Sequence, residues 1–237
     1  MFLYWNMSIP KQIIRRSLGG RIQNLKVRVS ENCTLEEAVD RVHTNRAYTT
    51  IVVGKGIHVI NRGELVIPSA MNIMGDPSVD KSEIVVVGGI FFEEGIQGTC
   101  HLQHLIISHA RYCGVVGRSF TMDDVVVQNC KLNGVVCMGG IVKCNNVLVQ
   151  ECRFGTGVSV INGGSITLVG PHTKVCDNNQ GLVAYGSSPV QASVIKVVSP
   201  LTKEIVSTDN ISQDFSNGVF SIGSEAIDEV KSLNVRF

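Results

Sequence analysis

Short β-branched runs alternate with turn residues along most of this chain, and the alternation recurs. Three stretches align: Leu102-Gln-His-Leu-Ile-Ile-Ser-His-Ala-Arg-Tyr-Cys-Gly114-Val-Val, Met122-Asp-Asp-Val-Val-Val-Gln-Asn-Cys-Lys-Leu-Asn-Gly134-Val-Val, and Cys144-Asn-Asn-Val-Leu-Val-Gln-Glu-Cys-Arg-Phe-Gly-Thr-Gly157-Val. Leu102 to Met122 is 20 residues and Met122 to Cys144 is 22. A fourth, looser copy ends Lys174-Val-Cys176-Asp-Asn-Asn-Gln-Gly181-Leu-Val, which spaces Cys130, Cys152 and Cys176 by 22 and 24. Such a period fits leucine-rich repeats or parallel β-helices. The pattern LxxLxLxxN is not met, because each copy centres on a β-branched run. Each copy instead reads strand, turn, short strand, Gly-containing turn, with Val125-Val126-Val127 and Val135-Val136 as the two strands. Stacking such coils sets like residues on like at about 4.8 Å. The expected fold is all-β: a single-stranded right-handed parallel β-helix, a solenoid, with an N-terminal capping helix.

A solenoid exposes sheet edges and apolar rungs at its ends, so it needs caps. Thr34-Leu-Glu-Glu37 is a capping-box start, and Leu35, Ala38, Val39 and Val42 then fall on one helical face. This predicts a helix from Leu35 to His43 at the N-terminal mouth. Thr50–Val53, Ile57–Ile60, Leu65–Ile67, Met71–Met74 and Ile84–Val87 read as strands of the first coils, Ala192–Val198 as a late one, and Ala226–Leu233 as a closing helix. The domain reading is an N-terminal arm (1–32), the β-helix (33–210) and a C-terminal cap or tail (211–237).

Composition narrows the setting. The 237 residues are 44% hydrophobic and 17% charged, with a formal net charge of +1, so no global field recruits nucleic acid or an anionic membrane, and any basic surface has to be local. None of the eight cysteines forms CxxC or zinc-finger spacing, which argues against a structural metal. Several recur at equivalent repeat positions, as buried free thiols acting like small hydrophobes would, and this favours a reducing compartment. Met1–Met7 is apolar but brief and lacks a basic leader or cleavage site, and no run is long enough to span a bilayer. The expected location is intracellular or within a virion, with no membrane partner.

With these residues in view, a resemblance can be stated. Thr34-Leu-Glu-Glu-Ala-Val39, Thr50-Ile-Val-Val-Gly-Lys-Gly-Ile-His58, Leu65-Val-Ile67, Asn72-Ile-Met-Gly75 and Val87-Gly-Gly89 resemble the N-terminal coils of pectin-lyase-like right-handed β-helix proteins, especially the short stand-alone ones of protists and large DNA viruses. Ser165-Ile-Thr-Leu-Val-Gly170 and Val198-Ser-Pro-Leu-Thr-Lys-Glu204 extend the likeness to roughly residues 33 to 210. The resemblance implies the fold. It does not imply one activity, because that superfamily mixes lyases, hydrolases, epimerases and non-enzymatic spikes.

Lyases of this kind bind Ca²⁺ through clustered carboxylates and use Arg or Lys as base; the hydrolases place two or three Asp on adjacent coils. The one adjacent acid pair in the regular coils is Asp123-Asp124, with Asn145-Asn146 expected on the rung above and Gln103-His104 below. Alternation sends neighbouring strand residues to opposite faces, so this stack suits a hydrogen-bonded ladder better than an acid–base pair. The Asn-Thr-Asp, Gly-His-Gly and Arg-Ile-Lys signatures of pectin hydrolases and the Asp-Pro-His-Asp signature of alginate epimerases are missing. His101, His104 and His109 invite a metal reading, but on a strand His101 and His104 fall on opposite faces, so solvated or locally hydrogen-bonded histidines are expected instead.

Arg111, Lys131 and Arg153 each follow the Ala110/Cys130/Cys152 position, which places three cations in one column, interrupted in the fourth copy by Asp177. Charges about 5 Å apart repel by on the order of 1 kcal/mol per neighbour before screening, and an anionic partner would relieve this.

The functional expectation is a non-catalytic structural or interaction protein with no cofactor, binding a protein partner or its own copies through a flat side. The aromatic start Phe2–Trp5 and the tail after Asn210 are candidate oligomerisation segments. The first alternative is a carbohydrate-active lyase, hydrolase or epimerase on an acidic polysaccharide near Asp123, Asp124, Arg111, Lys131 and Arg153. The second is a module that binds an acidic polymer through the same basic column.

Overall fold

The computed structural model describes residues 25–30, 33–186, 192–216 and 218–222. The expected Phe2–Trp5 contact and the Ala226–Leu233 helix lie outside the described residues. The described chain is a parallel β-solenoid of about eight turns. Each turn contributes strands to three parallel sheets around one core. The first sheet runs through Leu25–Val29, Tyr48–Val53 and Asn72–Gly75, then through the starts of Cys100–Ser108 and Phe120–Gln128, and on through Ile141–Asn145, Ser165–Val169, Val194–Val198 and Val219–Ile222. The second stacks Gly56–Val59, Ile84–Val87, Ile106–Ser108, Val125–Gln128, Leu148–Gln150, Lys174–Cys176 and Ser207–Thr208. The third stacks Glu64–Ile67, Gly89–Phe92, Val115–Gly117, Val135–Met138, Thr156–Ile161, Gln180–Ala184 and Gln213–Phe215.

Register follows the repeat. Inward positions stack as Ile51, Ile73, Leu102, Met122, Cys144, Leu168 and Val197 in the first sheet. All are buried to within 1% of full exclusion, and each apolar side chain of this size contributes about 1.5–3 kcal/mol when taken out of water. Phe120 and Phe92 meet inside with ring centroids 5.0 Å apart.

The corners explain why strands can be so short. The bend from first to second sheet is made by His104, Asp124 and Asn146, with φ between 51 and 54°. The bend from second to third is made by His109, Asn129, Glu151, Asp177 and Asp209, with φ between 54 and 60°. Among non-glycine residues Asn, Asp and His tolerate this left-handed region best, so eight residues at fixed offsets turn the coil without glycine.

Leu35–Thr44 is the expected helix, one residue longer than drawn from the sequence. Thr34 Oγ1 accepts from Glu37 N and Glu37 returns a bond to Thr34 N, completing the capping box. Leu35, Ala38, Val39 and Val42 are buried in the same core as the coils, and Glu36 Oε1 accepts from Asn61 N at 2.9 Å, tying the cap to the first coil. Strand pairing passes both drawn boundaries of the β-helix. Leu25–Val29 stacks under Tyr48–Val53 ahead of residue 33, and Gln213–Phe215 and Val219–Ile222 add rungs beyond residue 210. Among the described residues no helix is long and apolar enough to cross a membrane.

One expected register changes. Cys130 and Cys152 occupy equivalent buried places, but Cys176 pairs with Gln150, two positions earlier in the coil. The residue stacked on Cys152 is Asn178, whose Oδ1 accepts from Cys152 N at 3.0 Å. The column therefore reads Ala110, Cys130, Cys152, Asn178. The eight cysteines are free, and all but Cys113 are fully buried. Burial pushes the Cys144 thiol up to about 12 and Cys176 up to about 11, so these thiols stay protonated.

Candidate functional site

Asp123 and Asp124 are held apart. Asp123 lies at the end of the first sheet, stacked between Gln103 and Asn145, and accepts from Asn145 Nδ2 at 2.7 Å. Asp124 is the next residue, in the left-handed corner, and its two oxygens are taken by different cations. Oδ2 is 2.7 Å from His104 Nδ1 one coil below, and Oδ1 accepts from Lys81. His104 Nε2–H donates to the Val79 carbonyl at 3.0 Å. A ring that faces acceptors on both nitrogens is stabilised as imidazolium, and its pKa is raised by the Val79 carbonyl first and then by Asp124. Burial works to raise the Asp124 pKa, but Lys81 and His104 outweigh it and lower it. Lys81 comes from the 3-10 turn Lys81–Glu83, capped by Asp80, whose Oδ1 accepts from Ser82 N at 2.8 Å. A carboxylate neutralised by two cations is a poor base and a poor nucleophile, and the arrangement pins the 76–83 loop to the corner.

That network has a pH signature. The raised His104 pKa contributes stability fully present below its unfolded value near 6.5 and lost as pH rises through the folded value. The lowered Asp124 pKa contributes stability present above about pH 4 and lost on acidification. Asp124→Asn, which keeps the left-handed corner, should cost on the order of 0.5 kcal/mol between about pH 4 and 6.5, because the carboxylate is part-exposed, and less by pH 9. Denaturant melts of the two proteins across pH check this; a difference flat from pH 4 to 9 would show that the ion cluster contributes nothing.

The other histidines are separate. His101 Nδ1 is 2.6 Å from Thr121 Oγ1 and its pKa is lowered by burial. His109, at the opposite corner, contacts Ser108 Oγ at 2.5 Å. Among the described residues no group of three or more His, Cys, Asp or Glu side chains could hold a metal ion.

Arg111, Lys131 and Arg153 all lie exposed on the turn from second to third sheet. Backbone bonds hold the first two turns in step: Lys131 N donates to Ala110 O at 2.9 Å and Leu132 N to Tyr112 O at 2.9 Å. The residue that follows Arg153 in this column is Asn179, whose N donates to Cys152 O at 3.2 Å. Asp177, expected to interrupt the column, instead stands in the left-handed column above Glu151. Beside the cations stand three exposed apolar residues that sequence reading missed: Tyr112, Leu132 and Phe154, exposed by 55, 40 and 80%. The signal was present, since each apolar residue directly follows its cation.

A second feature the pattern concealed is the outer face of the second sheet. Ile57, Val85, Ile106, Val126 and Leu148 stack in register, and all five are solvent-accessible, Ile57 by 71%. Alternation predicts polar residues at outward positions, and here five successive rungs place aliphatic ones there. Ser108, Gln128 and Gln150 flank the stripe, with Gln150 Nε2 donating to Gln128 Oε1 at 3.1 Å.

Compared with protein-family models, curated proteins and solved structures, the chain matches none. What the chain itself establishes is a parallel β-solenoid bearing an ion-locked corner, a basic corner with exposed apolar residues beside it, and a flat aliphatic face.

Proposed function

We propose that this chain is a non-catalytic interaction scaffold whose flat second sheet docks a protein surface, in the first instance a second copy of itself. The observation that carries the reading is the in-register ladder Ile57, Val85, Ile106, Val126, Leu148. Four rung spacings make it about 19 Å long. An aliphatic centre edged by the amides of Gln128 and Gln150 is the anatomy of a protein interface, and a regular flat sheet is complementary in shape to another such sheet. The division of Asp123 and Asp124 between separate partners supports the absence of catalysis. The motifs of the N-terminal coils support a place among small pectin-lyase-like β-helix proteins, as in large DNA viruses or protists, and eight free thiols support a reducing compartment.

The test is mass in solution. Ile106→Lys with Val126→Lys places two charges in the middle of the ladder at positions that do not face the core. Light scattering should give a concentration-dependent dimer or larger species for the wild type and a monomer for the double variant, with melting otherwise retained. A wild type that stays monomeric at the highest attainable concentration would sink the self-association reading.

A further inference from the structure

A second surface, independent of the flat face, is built for a different ligand. Arg111 and Lys131 stand in step about 4.8 Å apart, with Lys131 N donating to Ala110 O and Leu132 N to Tyr112 O, and Arg153 follows on the next turn, which is one residue longer and sets Gly155 over Leu132. Among the described residues none of the three has an acidic partner within 4.0 Å. The side-chain contact recorded for them is Arg111 over the Tyr112 ring, 5.7 Å from its centroid. The basic corner also extends downward. A Cβ on Gly63 would lie 3.8 Å from Arg111 Cβ, which brings the exposed Arg62 beside the foot of the column. Its upper end is marked by acids: Glu151 and Asp177 occupy the neighbouring left-handed column from the third rung upward, where His109 and Asn129 stand lower down. At the foot, Glu64 lies near enough to Cys113 to raise its thiol pKa, so an acid stands near each end of the basic corner.

The exposed apolar residues fix the kind of polyanion. On every turn the cation is followed directly by Tyr112, Leu132 or Phe154, so exposed apolar surface accompanies the charge along the corner. The turn holding Phe154 is one residue longer than the turn below: Cys152 to Gly157 against Cys130 to Gly134. The extra residue pushes the Phe154 ring out to 80% exposure. A uronate polymer carries its anion on the same ring that would stack, whereas a single-stranded nucleic acid separates its phosphates from its bases across the sugar. Cationic tracks flanked by stacking side chains suit the second.

We propose that this corner binds single-stranded nucleic acid without sequence preference, phosphates along Arg111, Lys131 and Arg153 and bases against Tyr112, Leu132 and Phe154. The long Arg and Lys side chains absorb the difference between rung and phosphate spacing. Three neutralised phosphates at about −0.7 each give a salt slope near −2 in log K against log salt.

The probe is a fluorescent oligo(dT) of roughly twelve nucleotides, followed by anisotropy at low salt. Wild type should bind with a Kd of about 100 µM or tighter and the stated slope. Arg111→Gln/Lys131→Gln/Arg153→Gln should lose at least about tenfold and flatten the slope. Tyr112→Ala/Phe154→Ala should lose about tenfold with the slope kept, since stacking is uncharged. Melting and light-scattering mass, both expected unchanged, separate these effects from misfolding and from the flat-face contact. Absent binding, binding that survives the triple substitution, or preference for a polygalacturonate competitor over the oligonucleotide would each overturn the proposal.

Discussion

Phe120→Ala is expected to destabilise the fold by about 3–5 kcal/mol, the range for removing a fully buried aromatic ring. Phe120 is 0% exposed and stacks in register between Cys100 below and Val142 above. Its ring lies 5.0 Å from that of Phe92, tilted by 30°. A solenoid has little means of closing the resulting hole, because its backbone rungs are pinned at about 4.8 Å by sheet hydrogen bonds above and below. Gly117 lies against both rings, with a Cβ there 2.9 Å from Phe92 Cβ, and offers no side chain of its own to fill the hole. The denaturant midpoint should fall with the slope m unchanged, and Tm should drop by roughly 10 °C in a chain of this size. Val126→Ala, on the outer face of the same strand, is the comparison and should cost well under half as much. Loss below about 1 kcal/mol for Phe120→Ala would mean that the interior repacks freely and that the rungs are not rigid.

The parts of the molecule legible from its sequence are those in which a single residue type solves a local problem. Thr34 and Glu37 close a helix start whatever surrounds them, and Val125 and Val127 face inward because a strand alternates. The stacking of Asp123 between Gln103 and Asn145 was readable for the same reason: a period of 20 to 22 residues fixes the register once two coils align. Registers became opaque where coil length changed. Cys176 was matched to Cys152 by residue identity, but the corner at 170–173 is two residues longer than the one at 146–147 beneath it, so the true partner is Asn178. Lys81 was invisible as a partner of Asp124 because it arrives from a loop 43 residues earlier. The corner residues carried a signal of another sort. His104, Asp124 and Asn146 share no side-chain chemistry, yet all tolerate positive φ, so the column is defined by backbone conformation. The outward aliphatic ladder was hidden inside runs such as Val125-Val126-Val127, where inward and outward residues are the same type.

Asn178→Ala should cost about 2–4 kcal/mol, because it removes a buried amide that satisfies backbone groups of the coil below. Asn178 is 0% exposed. Its Oδ1 accepts from Cys152 N at 3.0 Å and its Nδ2 donates to Val149 O at 3.2 Å. Asn210 repeats the arrangement one coil higher, accepting from Asn178 N at 3.1 Å and donating to Val175 O at 3.3 Å. Each amide bonds the N–H at its own place in the coil below and the carbonyl three residues earlier, so the pair acts as a clasp between successive coils. Alanine leaves Cys152 N and Val149 O without that partner where water does not reach, and Asn210 also loses the 3.1 Å bond from Asn178 Nδ2. The two substitutions should therefore be non-additive, with a coupling on the order of 1 kcal/mol in a double-mutant cycle with Asn210→Ala. Because a solenoid is stabilised coil against coil, the damage should also be directional. Amide exchange in Asn178→Ala should accelerate in Ser165–Val169, Lys174–Cys176 and Val194–Val198 while Cys100–Ser108 and Phe120–Gln128 stay protected. Uniform acceleration along the chain would show that the coils unfold as one unit and that the clasp is one contact among many.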